Sequence, residues 1–292
     1  MFVGAMTALV TPMRDGQVDE PALRSLVEWQ IAEGIDGLIP CGTTGESATL
    51  TAAEHARVIK IVVEAAKKRV PIIAGAGSNS TAEAIALSNH AREAGADGLL
   101  HITPYYNRPT QEGLFLHFTA IAAATKLPIV LYNVPARTGC DLLPETIERL
   151  AKASTQFVGV KEATGTVQRT QQILSRIGDR LTILSGDDAI NLPLYSVGAR
   201  GCISVVSNVA PQLVANIWDA WEARDIHRAR ALHYESLPLA DALFWEASPI
   251  PSKAALAMMG KLTNDLRLPL HPLTDAPKVK LRALLEQMGL LS

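Results

Sequence analysis

The segment Glu33-Gly34-Ile35-Asp36-Gly37-Leu38-Ile39 returns, in altered letters, as Ala94-Gly95-Ala96-Asp97-Gly98-Leu99-Leu100. Each copy carries a glycine suited to ending a helix in a left-handed turn, then an acidic loop residue, then an apolar run that opens a strand. Upstream of the first copy, Leu23, Leu26, Val27 and Ile31 form one apolar stripe at helical spacing,. Val58, Ile59, Val62, Val63 and Ala66 form another, opened by Thr51-Ala52-Ala53-Glu54. That opening is a capping box, in which a hydroxyl and a carboxylate satisfy otherwise orphaned backbone N–H groups.

Outward from the repeat, short apolar runs alternate with helical patterns. Strands are expected at Val3–Val10, Gly37–Pro40, Pro71–Ala74, Gly98–Ile102, Ile129–Tyr132, Phe157–Lys161, Thr182–Leu184 and Gly201–Val205. Their spacing of roughly 20 to 33 residues is that of a strand, a helix and two short loops. Near-continuous apolar strands joined by crossover helices are parallel and covered on both faces. Eight such units close most economically as a (β/α)8 TIM barrel. An open doubly wound sheet usually begins with a glycine-rich turn after its first strand, whereas here Thr11-Pro12-Met13-Arg14 follows. Gly75-Ala76-Gly77 opens like a dinucleotide motif, but Ser80 stands where its last glycine would be,. Beyond residue 224 only helical patterns remain, at Arg224 to Ala242, Pro251 to Met259 and Pro277 to Leu290. The expected organisation is a catalytic barrel over 1–224 and a C-terminal α-helical region over 225–292.

Of the 292 residues, 48% are hydrophobic and 19% charged, with a net charge of −2 and no block of like charges, so neither nucleic acid nor an acidic membrane surface is an expected partner,. Cys41, Cys140 and Cys202 are odd in number and widely spaced, which fits a reducing cytoplasm better than a disulfide framework or a zinc ribbon,. The apolar N-terminus has no basic leader, and charges interrupt every stretch well short of a membrane span,. A cytoplasmic protein is expected. The seven histidines show no H-E-x-x-H or H-x-H spacing, so no metal centre is expected,.

In a barrel of this kind the chemistry lies at the C-terminal ends of the strands. After the second strand, Gly42-Thr43-Thr44-Gly45-Glu46 offers two hydroxyls between glycines, able either to clamp a small anion or to form an ordinary polar turn,. The fourth strand ends in Thr103-Pro104-Tyr105-Tyr106-Asn107-Arg108-Pro109 and the fifth in Tyr132-Asn133-Val134-Pro135-Ala136-Arg137-Thr138. Phenols held in a chain of hydroxyls relay protons, and taken singly they pack. Arg137 is suited to clamping a carboxylate or to a surface ion pair. The sixth strand, Phe157-Val158-Gly159-Val160-Lys161, ends in a lysine within an apolar run. Desolvation disfavours the ammonium form, and the neutral amine attacks a ketone to form a Schiff base; the competing reading is a lysine that snorkels out or pairs with Glu162. After the seventh strand, Ser185-Gly186-Asp187-Asp188 would repel a phosphate and can cap the next helix,.

Taken together and in order, G-T-T-G-E at 42–46, T-P-Y-Y-N-R-P at 103–109, Y-N-V-P-A-R-T at 132–138, V-K-E-A at 160–163 and S-G-D-D at 185–188 resemble the dihydrodipicolinate synthase family over nearly the whole chain. The resemblance implies a pyruvate-dependent Schiff-base lyase of the diaminopimelate route to lysine, forming 4-hydroxy-tetrahydrodipicolinate with no metal or nucleotide cofactor. Lys161 matches the residue that forms an imine with pyruvate, whose enamine adds to L-aspartate 4-semialdehyde. Tyr132 matches the proton donor and acceptor, and Thr43 and Tyr106 the rest of a hydroxyl relay. The family's equivalent of Tyr106 reaches into a neighbouring subunit's site, so the resemblance implies a homo-oligomer, expected as a homotetramer built as a dimer of dimers. Thr44 matches the hydroxyl holding the pyruvate carboxylate, Arg137 the side chain that meets the aldehyde substrate, and Gly186 and Ile203 backbone contacts around pyruvate. Ser47, Ala48, His55, Asn79, Glu83 and Tyr105 match the site where lysine-inhibited bacterial members bind L-lysine, with Ala52 standing where a histidine is often found.

Two rivals share part of this pattern. N-acetylneuraminate lyase and the keto-deoxy sugar-acid aldolases share the lysine and the strand-five tyrosine, but a short carboxylated aldehyde needs a charged clamp such as Arg137 where a polyol chain needs neutral partners. A barrel that only binds a keto acid has no use for an imine-forming lysine.

Overall fold

Both copies of the repeated segment do the same work in the computed structural model, which describes residues 2–291. Gly34 and Gly95 each lie at φ +90°, just past a helix end, where any side chain would be strained,. The aspartate that follows then caps the start of the neighbouring strand: Asp36 Oδ2 accepts from Ala5 N at 2.8 Å and Asp97 Oδ2 from Ile72 N at 2.9 Å. The internal echo is thus a recurring device that ends a helix and pins the next strand beside the previous one.

Eight parallel strands result: β1 (Gly4–Ala8), β2 (Gly37–Ile39), β3 (Ile73–Gly75), β4 (Gly98–Ile102), β5 (Ile129–Asn133), β6 (Phe157–Glu162), β7 (Thr182–Ser185) and β8 (Gly201–Ser204). They run in the order β2-β1-β8-β7-β6-β5-β4-β3. A parallel bridge between Leu38 and Ile72 joins the two ends, with Leu38 N donating to Pro71 O at 3.1 Å. Closed in this way, the sheet is a TIM barrel.

Barrel helices α1 (Glu20–Ala32), α2 (Ala52–Ala66), α3 (Thr81–Ala94), α4 (Gln111–Ala124), α5 (Pro144–Ala153), α6 (Val167–Ile177), α7 (Asn191–Ser196) and α8 (Pro211–Glu222) lie between and after the strands. Many begin where a side-chain oxygen meets the first turn, as at Asp19, Ser80, Thr110 and Thr166,. The capping box at Thr51 and Glu54 is present in both directions.

Strand limits shift where backbone bonding demands it. The run Val3–Val10 contributes only Gly4–Ala8, because Val10 N turns to Asn208 Oδ1 at 3.0 Å. The third strand begins at Ile73 instead of Pro71, which has no N–H for the ladder and serves only as an acceptor,. A small hairpin, Met13–Arg14 with Gln17–Val18, follows β1. Its turn, Asp15-Gly16, has positive φ at both residues, the Asp-Gly signature of a tight hairpin that the periodicity reading passes over,.

The core has two layers. Met6, Ala8, Ile39, Ile73, Leu100, Val130, Tyr132, Leu184 and Ile203 fill the barrel's interior. A larger cluster between strands and helices continues through the C-terminal helices α9 (Ile226–Ala242), α10 (Ile250–Met258) and α11 (Asp275–Gln287), which contribute Leu239, Ala254 and Leu281 among others.

Candidate active site

Successive side chains of a strand point to opposite faces, and this alternation separates Lys161 from Glu162. Lys161 is paired in register with Tyr132 on β5 and Leu184 on β7, both members of the inner layer. It is 5% exposed, its Nζ lies 4.4 Å from the centroid of the Tyr132 ring, and it makes no ion pair among the described residues. Glu162 faces the other way, where Oε1 accepts from Thr164 N at 2.6 Å and Oε2 from Asn133 Nδ2 at 3.3 Å. Neither a snorkelling lysine nor a Lys161–Glu162 pair is found.

A buried polar network stands behind the β5 and β6 ends. Asn133 Nδ2 also donates to Asp141 Oδ1 at 2.9 Å, Leu142 N donates to Asn133 Oδ1 at 3.0 Å, and Arg169 grips both oxygens of Asp141 at 2.7 Å. Its charge-assisted hydrogen bonds hold the Asp141 carboxyl below the usual range, whereas burial raises that of Glu162,. The network spans the chain on both sides of Arg137, so the loop bearing that side chain is tied to the strand bearing Lys161.

Residues 43 and 44 follow β2. Thr11 Oγ1 donates to Gly45 O at 2.7 Å, and a Cβ on Gly45 would lie 3.0 Å from Leu9 O, so the loop packs directly on the end of β1. Thr43, Thr44, Tyr132, Arg137, Lys161 and Gly186 line one cavity of about 490 Å³ at the C-terminal mouth of the barrel. Gly186 is required there, since a Cβ would approach Ala163 Cβ to 2.7 Å and Lys161 Cε to 3.1 Å. Asp187 also lines the cavity, its carboxyl raised by burial, while its side chain accepts from Ala189 N at the start of the next turn. Asp188 accepts from the N–H groups of Val205 and Val206 at 2.8 and 3.0 Å and so joins the β7 and β8 ends.

Two expected residues lie apart from this group. Ile203 is buried in the inner layer without lining the cavity. Tyr106 is 90% exposed at φ +72°. Within one chain it makes no side-chain hydrogen bond to Thr43 or Tyr132 among the described residues. The C-terminal region adds wall residues that the sequence reading missed: Leu237, Ala240 and Asp241 from α9, and Phe244 and Ser248 from the turn after it. Among the described residues no group of three or more His, Cys, Asp or Glu is arranged to hold a metal ion, and no helix is long and apolar enough to cross a membrane.

A family model described as the dihydrodipicolinate synthetase family matches residues 1–288. The chain belongs to that family. The 4-hydroxy-tetrahydrodipicolinate synthase of Syntrophus aciditrophicus (strain SB) is 54% identical over 291 residues, covering 100% of both chains. A chloride-inhibited dihydrodipicolinate synthase from Acinetobacter baumannii, solved with pyruvate, has a TM-score of 0.97 at 44% identity over 100% of each chain. Its counterpart from Cyanidioschyzon merolae, solved with lysine bound, has a TM-score of 0.95 at 39% identity over 99% of each. Membership of the dihydrodipicolinate synthetase family makes the chain a lyase and favours the synthase activity over sugar-acid cleavage.

Beside the first cavity, this family member has a second of about 530 Å³, and Thr43, Tyr132 and Arg137 border both. Ser47, Ala48, His55, Glu83 and Tyr105 line it, with Ala52. Asn79 stands at its edge, donating through Nδ2 to Tyr105 O at 3.2 Å and accepting at its backbone O from Asn107 at 2.9 Å. His55 Nε2 donates to Gly75 O at 2.8 Å, and burial lowers its pKa. Its Nδ1 is buried without a hydrogen-bond partner among the described residues. The three cysteines are buried and unpaired, and burial pushes the Cys202 thiol up to about 12.

Proposed function

We propose that the chain is a 4-hydroxy-tetrahydrodipicolinate synthase that works through a Lys161 imine. Lys161 Nζ, as the free amine, attacks the ketone carbon of pyruvate and expels water. The iminium draws electrons from C3, which loses a proton, and the enamine carbon adds to the aldehyde of L-aspartate 4-semialdehyde. The amine of that substrate then attacks the imine carbon, closing the ring and freeing Lys161. Tyr132 is the proton donor and acceptor, with Thr43 and a partner subunit's copy of Tyr106 completing the relay. Thr44, with the backbone about Gly186, holds pyruvate, and Arg137 takes the carboxylate of the aldehyde substrate. No metal or nucleotide enters this scheme.

The observation that carries the reading is a buried lysine, without an ion pair among the described residues, in the same cavity as two threonine hydroxyls, a tyrosine and an arginine. Borohydride reduction in the presence of pyruvate should leave a mass adduct on Lys161, and Lys161→Ala should abolish it. Absence of the adduct in the unaltered protein defeats the proposal. A coupled assay with pyruvate and aspartate semialdehyde, run beside sugar-acid cleavage, measures the preferred substrate.

The second cavity supports a regulatory role: L-lysine bound by Ser47, Ala48, His55, Asn79, Glu83 and Tyr105 would inhibit. Its buried, unpartnered His55 Nδ1 supports a polar ligand there. Titration with L-lysine at subsaturating pyruvate is the check, and a flat response into the millimolar range would sink the idea. A homotetramer fits the outward Tyr106, and buried, unpaired cysteines fit a cytoplasmic setting.

A further inference from the structure

Glu46 closes the loop that carries Thr43 and Thr44, and both of its carboxylate oxygens are taken by the C-terminal region. Oε1 meets Lys253 Nζ of α10 at 2.5 Å, and Oε2 accepts from Arg267 N at 3.3 Å. The side chains of Glu46 and Lys253 are both almost wholly buried. Arg267 extends the hold: its guanidinium donates to Gly16 O, to Thr49 O at 2.8 Å and to Glu54. At the other end of the same loop Cys41 lies at φ +57°, and Glu46 itself lies at φ +55°. Non-glycine residues keep such a backbone only where their surroundings over-determine it.

An apolar pair of similar volume is often at least as stable as a buried ion pair, because taking two charges out of water is expensive. What a fixed pair supplies instead is direction. Here it links a helix of the tail to the turn whose hydroxyls face the cavity.

We infer that Lys253 is a positioning residue for the carboxylate clamp: through Glu46 it fixes the backbone of residues 43–46, so that Thr44 meets the carboxylate of the keto acid. This deepens the pyruvate reading and rests on it. Lys253 touches no reacting atom, so its effect belongs in pyruvate binding. Small displacements of a positioning group have large kinetic consequences.

The test compares Lys253→Met, Glu46→Gln and the double variant by steady-state kinetics, with folding checked by cooperative urea unfolding. In Lys253→Met the KM for pyruvate should rise about tenfold or more, with kcat at saturating pyruvate and the KM for the aldehyde each within about threefold. The double variant should be no worse than the worse single one, since the two act as a unit. Should Lys253→Met not fold, Glu46→Gln carries the same expectation. A folded variant whose pyruvate KM stays within twofold of the unaltered protein, or two effects that simply add, would overturn the inference. Failure of the unaltered protein to trap pyruvate would overturn it together with the functional reading, whereas trapping with unchanged KM values would overturn it alone.

Discussion

Lys161 and Lys253 are both buried lysines in apolar stretches of chain, and they differ in what faces them. Lys253 is met by Glu46, which opposes the lowering of its pKa by burial. Lys161 is met by the Tyr132 ring and an open cavity. Their immediate neighbours read alike: Phe157-Val158-Gly159-Val160-Lys161 and Ile250-Pro251-Ser252-Lys253-Ala254-Ala255-Leu256 both embed a lysine in a largely apolar stretch. The signal that singled out Lys161 was also present at Lys253, but only the strand end placed the first in a barrel mouth. Gly186 provides a test at this scale. In Gly186→Ala the added methyl must push Lys161 Cε or Ala163 aside, so kcat should fall about 10- to 100-fold while unfolding stays cooperative. Single-turnover trapping with pyruvate and borohydride would locate the loss in imine formation, and an unimpaired trapping rate would count against it.

Elements are held in place here by polar groups that have no role in the chemistry. Asn133 is wholly buried and bonds Glu162, Asp141 and Leu142 at once. Asn133→Leu strands the buried Leu142 N–H and Glu162 Oε2, whereas Asp141 keeps Arg169, and each group stranded costs about 1–3 kcal/mol,. The urea midpoint should fall accordingly, and kcat should fall with it because the β5 and β6 ends carry Tyr132 and Lys161. On α2, Glu54 closes the capping box and grips Arg267, which holds its carboxyl down to about 2, against 4.5 ordinarily. A carboxyl depressed on folding adds stability that is complete above its unfolded value and is lost as pH falls through the folded one. Between about pH 4.5 and 2 the unaltered protein should therefore lose this stabilisation, and Glu54→Gln should show a flatter profile in that window. Equal slopes in urea titrations of the two proteins would refute the assignment.

For the whole molecule, the site within one chain is incomplete as proposed, because Tyr106 projects outward while Lys161 and Tyr132 face in. Lys161→Ala and Tyr106→Phe proteins, each nearly inactive, should therefore regain activity on subunit exchange, above the sum of the separate preparations. No gain after verified mixing would show that Tyr106 serves no partner site. Strand periodicity, the repeated Gly-x-Asp-Gly turns, the capping box and the strand-end motifs were legible in the sequence, because each depends on residues within one or two turns of chain. The tail's share of the cavity wall and the Glu46–Lys253 link were not, since that pair lies 207 residues apart. The sequence by itself determined the eight strand-helix units and which strand ends carry reactive groups. Only the tertiary structure decided which lysine stands unpaired beside a cavity, because whether a buried charge has a partner depends on where distant parts of the chain cross.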